Sequence, residues 1–235
     1  MHKIYLIPNF LAPNSVDQTF PLYLIEIVKK LKIFFVEDEK TARSFLKKIN
    51  PTINFSEIIL YNIGKHADFS EVKKAFNVYH QEKKEIGILS EAGYPCIADP
   101  GEILVRWAHE KNWQIQPLIG PCSLTMALAA SGLSGQKFSF HGYLPIQSQE
   151  KTVYLQKIQS RILQEYSTHL FIETPFRNVQ LMETICKVLS KNLQLCLALE
   201  ITSDTEKIKT QTISAWQKED LTFLHKKNCV FILGY

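Results

Sequence analysis

The sequence has few of the patterns that identify common enzyme classes. It contains no GxGxxG, GxxxxGKS/T, HExxH or GxSxG motif, so the nucleotide, metal and hydrolase sites that depend on those motifs are not indicated. Its five cysteines include no CxxC pair. An odd number of scattered cysteines argues against a disulfide framework or a zinc ribbon. Cysteines in mostly apolar surroundings are typical of small core residues in a reducing compartment.

Long hydrophobic runs are also missing. No segment reaches the ~20 apolar residues that a membrane-spanning helix needs, and no stretch typical of a signal peptide precedes the first predicted strand. We therefore expect a cytoplasmic protein that does not contact a membrane. Hydrophobic residues make up 46% of the chain and charged residues 21%, which is typical of a soluble globular protein.

The formal charge of +4 permits RNA as a partner without indicating it. The lysine pairs lie mostly at the ends of predicted helices, where they complement the helix dipole. The length of 235 residues allows one large domain or two compact lobes.

The first part of the chain alternates short apolar runs with amphipathic segments. This alternation predicts a mainly parallel sheet with helices on both of its faces. The predicted strands are residues 4–7, 33–36, 57–60, 85–89 and 114–118, and the predicted helices are residues 20–31, 38–49, 70–81, 102–111 and 123–131.

Residues 142–150 form a polar segment that contains Pro145, which predicts a linker between two lobes. The predicted organisation is an N-terminal α/β lobe over 1–141, the linker 142–150 and a C-terminal α/β lobe over 151–235. In the last part the strands outnumber the helices, so we expect a mixed sheet there. Its predicted strands are 169–172, 195–201, 207–212 and 229–233, and its predicted helices are 151–166, 176–190 and 216–224.

The loop at residues 90–101 is the most informative candidate site. It follows an apolar strand and precedes a helix, the position at which open parallel sheets bind ligands. Asp99 precedes Pro-Gly at the entry to that helix, so capping of the helix is the favoured role for its carboxylate. No cap accounts for Glu91, which favours a ligand-facing role.

Two further strand ends carry candidate residues. At residues 118–123, Gly120 allows close backbone approach, Pro121 suits a first helical turn, and Ser123 either caps a helix or contacts a ligand. At residues 171–177, Glu173 and Arg177 stand four positions apart. That spacing suits either a structural ion pair that fixes the corner or a functional pair.

Together these segments resemble the tetrapyrrole-methylase-like superfamily of S-adenosylmethionine-dependent methyltransferases. The nearest branch resembles the ribosomal RNA small-subunit methyltransferases that act on a cytidine ribose 2′-hydroxyl. The matching segments, with the family pattern after each, are residues 36–38 (EDTR), 90–101 (SDAGTPxISDPG), 117–123 (PLPGPSA), 140–145 (YEGFLP), 171–177 (FYESPHR) and 200–202 (ELT).

The resemblance implies a two-lobed α/β fold with S-adenosylmethionine in the cleft between the lobes, S-adenosylhomocysteine as the product and no metal. It also implies ribosomal RNA or the small-subunit particle as a partner, and a homodimer. A methyltransferase of small molecules such as tetrapyrroles and an inactive ligand-binding relative are the alternatives. The implied catalytic residues are Glu91, Glu173 and Arg177, and the implied cofactor-binding residues are Glu91, Ala92, Gly93, Ile97, Ala98, Pro121, Ser123, Phe171, Ile172, Glu173, Phe231 and Ile232.

Several positions depart from the family pattern. The family's first loop, TPIGN, corresponds here to residues 9–13, which lack its glycine. The Asp and Thr of the central loop are replaced by Glu91 and Tyr94, and Ser203 stands where the family has Lys. Because these departures lie mainly on the side of the substrate, cofactor binding is predicted more firmly than substrate identity.

Overall fold

The computed structural model of the protein describes residues 3–13 and 16–235, and it divides the chain into two compact units between Cys122 and Ser123. Among these residues no helix combines the length and the apolar character needed to cross a membrane. Each unit has its own sheet and its own core.

The first unit is built on a five-stranded sheet in the order β3-β2-β4-β1-β5, with every pair parallel. Its strands are β1 (Lys3–Ile7), β2 (Ile33–Val36), β3 (Ile59–Asn62), β4 (Ile86–Leu89) and β5 (Gln114–Pro117). Its helices are α1 (Val16–Thr19), α2 (Leu22–Lys30), α3 (Glu39–Ile49), α4 (Phe69–Gln81) and α5 (Glu102–Glu110).

Side chains alternate across this sheet and supply a core on each face. In β1, Ile4 and Leu6 join a cluster that includes residues of α4 and α5, whereas Tyr5 and Ile7 join one that includes residues of α2 and α3. Successive residues of a strand point to opposite faces, so a strand buried on both faces is apolar throughout. The predicted parallel sheet with helices on both faces is confirmed.

The second unit has a mixed sheet, as predicted, and its strand order is β6-β7-β10-β8-β9. Only β6 and β7 are parallel, and the other pairs are antiparallel. Its strands are β6 (Phe138–Tyr143), β7 (Thr168–Ile172), β8 (Gln194–Leu199), β9 (Lys207–Thr212) and β10 (Cys229–Gly234). Its helices are α6 (Ser123–Ala130), α7 (Ser148–Glu165), α8 (Asn178–Val188) and α9 (Ile213–Trp216).

The boundary between the two units lies at residues 122–123, before the predicted linker at 142–150. Residues 142 and 143 end β6, which pairs with β7 through Phe138 and Tyr143. Leu144 is buried in the core of the second unit, and α7 begins at Ser148. The polar composition that predicted a linker therefore belongs to a loop within the second unit.

Some helices and strands begin at residues other than those predicted, because local backbone features set their boundaries. The predicted helix 20–31 is observed as α2 over Leu22–Lys30, which starts after Pro21, a residue with extended backbone that provides no side-chain cap. The short helix α1 is separate and ends at Thr19, before the predicted range. A residue before proline disfavours helical backbone, which accounts for the break at Phe20. A turn of 3₁₀ helix over Phe55–Glu57 delays β3 relative to the prediction of 57–60.

The predicted helix 216–224 is wrong. The Thr212 hydroxyl accepts a hydrogen bond from the Ala215 amide and starts α9 at Ile213, ahead of the predicted position. After Trp216 the chain leaves the helix, and Asp220 accepts a hydrogen bond from the Thr222 amide to begin a separate 3₁₀ turn over Thr222–Leu224. Thr212 is therefore the N-cap of α9, whereas Asp220 forms a local turn two residues before the 3₁₀ turn, whose N-cap residue is Leu221.

A chain of four hydrogen-bonded side chains crosses the start of β7. The Tyr154 hydroxyl is 3.0 Å from His141 Nδ1, His141 Nε2 is 2.8 Å from His169 Nδ1, and His169 Nε2 is 3.0 Å from the Ser167 hydroxyl. Burial, and then the neighbouring His141, lower the pKa of His169 to about 4. The pair is therefore held neutral inside the unit at physiological pH.

This arrangement predicts acid-sensitive stability. The unfolded chain binds a proton at His169 near the ordinary pKa of about 6.5, whereas the folded chain does so near 4. Between these values the unfolded state binds more protons, so the free energy of unfolding falls as the pH falls. In denaturant titrations, His169→Gln should lose less stability than the parent chain between about pH 7 and pH 5. The control His66→Gln, at an exposed position, should keep the full dependence; an unchanged dependence in His169→Gln would contradict the assignment.

Candidate active site

The candidate residues of the first unit gather at one edge of its sheet. Because all five strands are parallel, the segments that follow them emerge at the same edge. Residues 9–13 follow β1, residues 37–38 follow β2, residues 90–101 follow β4 and residues 118–122 follow β5. The strand order places β4 between β2 and β1, so the long loop stands at the middle of this edge.

Asn9 ties this loop to the end of β1. Its buried side-chain amide donates hydrogen bonds to the carbonyls of Ser90 and Glu91 at 3.0 and 2.9 Å. Its backbone exchanges two further hydrogen bonds with Gly93, at 2.7 and 3.2 Å. Sequence reasoning recorded position 9 only as a departure from the family's first loop and missed this role. The available signal is an asparagine two residues after the end of a strand that neighbours β4.

The loop has an unusual backbone. Gly93 and Gly101 have φ angles of +69° and +129°, and the non-glycine residues Cys96 and Ala98 have φ angles of +67° and +64°. A non-glycine residue with a positive φ angle has a strained backbone, and such strain concentrates at functional sites. The loop brings four of the predicted cofactor-binding residues together with exposed side chains: Glu91, Ala92, Ile97 and Ala98.

Gly93 itself is buried against the Asn9 segment, and a Cβ atom there would lie 3.0 Å from the Leu11 side chain. Tyr94, whose bulk departs from the family pattern, packs against the core. Its ring therefore leaves the exposed side of the loop free. Burial raises the pKa of its hydroxyl group.

The carboxyl groups of Glu37, Glu91 and Asp99 lie close enough to repel one another, and Asp38 adds a fourth charge beside Glu91. Burial, followed by the charges of Glu37 and Glu91, raises the pKa of Asp99 to about 7. Burial and the charges of Glu37 and Asp38 raise the pKa of Glu91 as well. Glu37 is fixed by accepting a hydrogen bond from the Glu91 amide at 3.0 Å. The edge therefore carries an acidic patch that favours a cationic ligand or a shared proton.

The prediction that Asp99 caps α5 is wrong. Gly101 is the N-cap residue, and the helix has no side-chain cap. A Cβ atom at Gly101 would lie 2.8 Å from Cys96 Sγ, so the chain enters the helix through a tight turn that favours glycine. The Asp99 side chain is instead hydrogen-bonded to Ser90 within the loop.

At the end of β5, Gly120 packs so closely that a Cβ atom would lie 2.2 Å from Pro8 Cγ. This contact explains the glycine in structural terms and holds Pro121 beside the end of β1. The Pro121 carbonyl lies 3.9 Å from the position that a Gly93 Cβ atom would take. Ser123 is the first residue of α6 and belongs to the second unit.

In the second unit, Glu173 and Arg177 form an ion pair. Arg177 donates from Nε and Nη2 to Glu173 Oε1, at 3.0 and 2.6 Å. The Glu173 side chain is fully buried, whereas 30% of the Arg177 side chain is exposed. Oε1 also accepts a hydrogen bond from the Thr174 amide at 2.8 Å. The structural interpretation of this pair is therefore supported for Glu173.

Lys151, which sequence reasoning missed, completes a triad. Its side chain is only 4% exposed, and its Nζ atom is 3.5 Å from Glu173 Oε2. Within the described residues that oxygen accepts no hydrogen bond, and neither does Oδ1 of the buried Asn178. Two cations thus share one carboxylate, which leaves a net positive charge at this corner. Nothing in the polar stretch around Lys151 indicates that its side chain is buried.

Phe171 and Phe231 lie in the core. Their rings stack with centroids 5.6 Å apart, and Ile232 beside them is also fully buried. Because β10 lies between β7 and β8, the backbone groups of Phe231 and Ile232 are used by the sheet. The predicted cofactor contacts of Phe171, Ile172, Phe231 and Ile232 stay predictions that the arrangement of this unit does not favour.

No cluster of three or more His, Cys, Asp or Glu side chains within residues 3–13 and 16–235 is arranged to hold a metal ion.

Comparison with known proteins then identifies the family. The family of Tetrapyrrole (Corrin/Porphyrin) Methylases matches residues 21–216. The chain belongs to this family. The resemblance drawn from the motifs is confirmed, and the protein is a methyltransferase.

Two family members illustrate the relationship. Proteins named ribosomal RNA small subunit methyltransferase I from Buchnera aphidicola subsp. Baizongia pistaciae and from Helicobacter pylori are each 30% identical to this chain. The alignments cover 99% and 85% of this chain, and 76% and 71% of those proteins.

Solved structures of the family share the fold. The methyltransferase CobJ is 13% identical with a TM-score of 0.62, over 99% of this chain and 92% of that structure. The cobalt precorrin-4 methyltransferase CbiF is 14% identical with the same TM-score, over 99% and 94%. At this identity the similarity establishes the two-sheet fold of the family and nothing further.

The acidic patch predicts that Asp99→Asn stabilises the protein at alkaline pH. The raised pKa of about 7 means that the folded state holds its proton to a higher pH than the unfolded state, whose pKa is near 3.8. The contribution of Asp99 to stability is therefore lost as the pH rises through 7. The melting temperature of Asp99→Asn should exceed that of the parent chain increasingly from about pH 5 to pH 8. Asp204→Asn, on an exposed turn, is the control; an equal gain at both pH values would contradict the prediction.

The buried triad predicts a large cost when its only anion is removed. Glu173→Ala leaves Lys151 and Arg177 without their shared carboxylate, so the free energy of unfolding should fall by about 3–5 kcal/mol. Glu183→Ala, at an exposed position of α8, should change it by less than about 0.5 kcal/mol. Urea titration measures both, and equal effects of the two substitutions would refute a buried network.

Proposed function

We propose that the protein transfers a methyl group from S-adenosylmethionine to RNA of the small ribosomal subunit, at a ribose 2′-hydroxyl. The observation that carries this proposal is the alignment of nearly the whole chain, at about 30% identity, with proteins named ribosomal RNA small subunit methyltransferase I. The site motifs at residues 90–101 and 171–177 lie within the matched region.

The residues of the first unit suit the methyl donor. S-adenosylmethionine supplies a methyl group on a positively charged sulfur. A cationic ligand is favoured beside Glu91 and Asp99, whose pKa values are raised partly by neighbouring carboxylates. The strained and tied backbone of residues 91–93 and 97–98 offers fixed polar groups and the exposed Ile97 side chain. We assign these residues to the donor side of the site.

Transfer to a hydroxyl group also needs a proton acceptor. Asp99 suits this role, because a carboxyl group with a pKa of about 7 is both partly ionised and sufficiently basic near neutral pH. Glu91, which the family resemblance suggested as catalytic, lies in the same acidic patch and holds the pKa of Asp99 up through its charge. Alignment of donor and acceptor supplies the rest of the acceleration.

Two other functions are the alternatives. Methylation of a tetrapyrrole would agree with the family and with the fold of CobJ and CbiF, but similarity to those structures extends to the fold alone. An inactive ligand-binding relative would agree with the departures at residues 9–13. Asn9 weakens that alternative, since its four hydrogen bonds maintain the loop that the family uses.

We further propose a cytoplasmic homodimer. The five cysteines, three of them buried, form no disulfide within residues 3–13 and 16–235, which suits a reducing compartment. Light scattering of the purified chain measures its mass in solution directly.

The test is a methyl-transfer assay with labelled S-adenosylmethionine and small ribosomal subunits that lack 2′-O-methylation. We expect label in the RNA, located by mass spectrometry in a ribose, and a rate that rises with pH through about 7 as Asp99 ionises. Asp99→Asn should slow transfer by about 10²–10⁴-fold, a larger loss than the weakening of S-adenosylmethionine binding that calorimetry measures on removal of one carboxylate from the acidic patch.

Three results would contradict this proposal in different ways. Label in a reduced tetrapyrrole but not in RNA would favour the small-molecule function. Binding of S-adenosylmethionine without transfer to either acceptor would favour the inactive relative. Transfer by Asp99→Asn at the parental rate would remove Asp99 as the proton acceptor and leave the methyltransferase assignment intact.

A further inference from the structure

The turn that follows β7 presents an aromatic ring to solvent. The Phe176 side chain is 69% exposed, although it lies between the buried Glu173 network and the start of α8. A single exposed phenylalanine is common on protein surfaces. This one differs because its surroundings are cationic and its backbone is held from both sides.

Positively charged or basic side chains surround the ring. Lys226 Nζ is 5.8 Å from the centroid of the Phe176 ring, and the His225 ring meets it edge-on at 6.4 Å. Arg177 follows directly and is partly exposed. We name Phe176, Arg177, His225 and Lys226 the Phe176 patch.

The two segments that form the Phe176 patch carry no carboxylate. Residues 174–178 and 221–228 contain Arg177, His225, Lys226 and Lys227 and no Asp or Glu. The carboxylates beside them are already engaged. Glu173 is shared by Lys151 and Arg177, Glu200 Oε2 lies 3.8 Å from Lys227, and Asp220 accepts hydrogen bonds from Thr222.

Hydrogen bonds fix the shape of the Phe176 patch. The Lys226 amide donates to the Pro175 carbonyl at 3.1 Å, and the Arg177 amide donates to the Thr174 carbonyl at 2.9 Å. The side-chain amide of Asn178 donates to the Lys227 carbonyl at 2.6 Å. The ring and its cations are therefore held on a rigid turn.

A second exposed aromatic side chain lies at the same end of the sheet. Tyr143, the last residue of β6, is paired in register with Ile172, the last residue of β7. Rigid aromatic rings interleaved with cations are the pattern that binds unpaired nucleotides, because bases stack on the rings while the cations contact phosphates.

We propose that the Phe176 patch binds a single-stranded segment of the substrate RNA, with a base stacked on Phe176 and phosphates on Arg177 and Lys226. This inference rests on the proposed function and specifies how its substrate is held. Lys151 acts as a positioning residue, because it takes part of the charge of Glu173 and so leaves the Arg177 guanidinium incompletely neutralised.

The decisive experiment compares binding and catalysis. Fluorescence anisotropy with a labelled single-stranded oligoribonucleotide measures RNA affinity, calorimetry measures S-adenosylmethionine affinity, and the transfer assay gives KM and kcat. Phe176→Ala should weaken RNA binding by about 5–150-fold, the equivalent of one lost stacked base, and raise KM for RNA. Phe176→Trp should retain binding, and S-adenosylmethionine affinity should not change.

The charge contribution is tested separately. Lys226 has a φ angle of +58°, so Lys226→Asn removes the charge with a residue that tolerates this backbone. The slope of log affinity against log salt should become shallower by about 0.7, as expected for one lost phosphate contact to a single strand. Lys218→Asn, at an exposed position, should keep the parental slope.

Tyr235→Ala is the matched aromatic control. Tyr235 is 70% exposed and follows β10 at the other end of the same sheet. If Phe176→Ala binds RNA no more weakly than Tyr235→Ala while the parent chain methylates RNA, the inference is overturned and the proposed function stands. If the parent chain neither binds nor methylates RNA, both fail. A change of mass in light scattering for Phe176→Ala, with RNA affinity kept, would identify the patch as a protein contact and overturn the inference.

Discussion

The amide group of Asn9 connects two elements on which the first unit's site depends. Its hydrogen bonds to the loop after β4 satisfy backbone carbonyls that would otherwise be costly to bury. They also hold a segment whose Cys96 and Ala98 have positive φ angles, and such angles persist only where the surroundings fix them. The exposed residues of that loop are therefore held in place by Asn9.

The fold was largely predictable because burial on both faces leaves a strong signal. Strands such as β2 and β4 are uninterrupted apolar runs, and the segments between them have helical spacing. Prediction failed where single hydrogen bonds or one proline decide a boundary. Pro21, Thr212 and Asp220 each start or end an element by local chemistry that hydrophobic periodicity does not contain.

The location of the candidate site could be predicted from the sequence, whereas the roles of individual residues in it were less predictable. A loop with two glycines after a buried strand indicates a binding site, and the residues of that loop do lie together. The roles of Asn9, Lys151 and Asp99 depend on neighbours distant in sequence. Asn9 contacts a loop more than eighty positions away, and the pKa of Asp99 is set by burial and then by Glu37.

The two units carry charges of opposite sign at their candidate residues. Glu37, Glu91 and Asp99 form the acidic patch of the first unit. In the second unit the two positive charges of Lys151 and Arg177 outnumber the single negative charge of Glu173. Each unit therefore favours a ligand of the opposite sign at its own candidate residues, a cationic one in the first unit and an anionic one in the second.

The bond between Arg177 and Glu173 also has an entropic consequence. A free arginine side chain has about 2 kcal/mol of rotamer entropy, part of which is lost when the side chain is immobilised by a ligand. In this protein the Nε and Nη2 atoms of Arg177 are already fixed to Glu173 Oε1. An anion that reaches the exposed part of the guanidinium therefore meets a side chain whose ordering was completed when the chain folded.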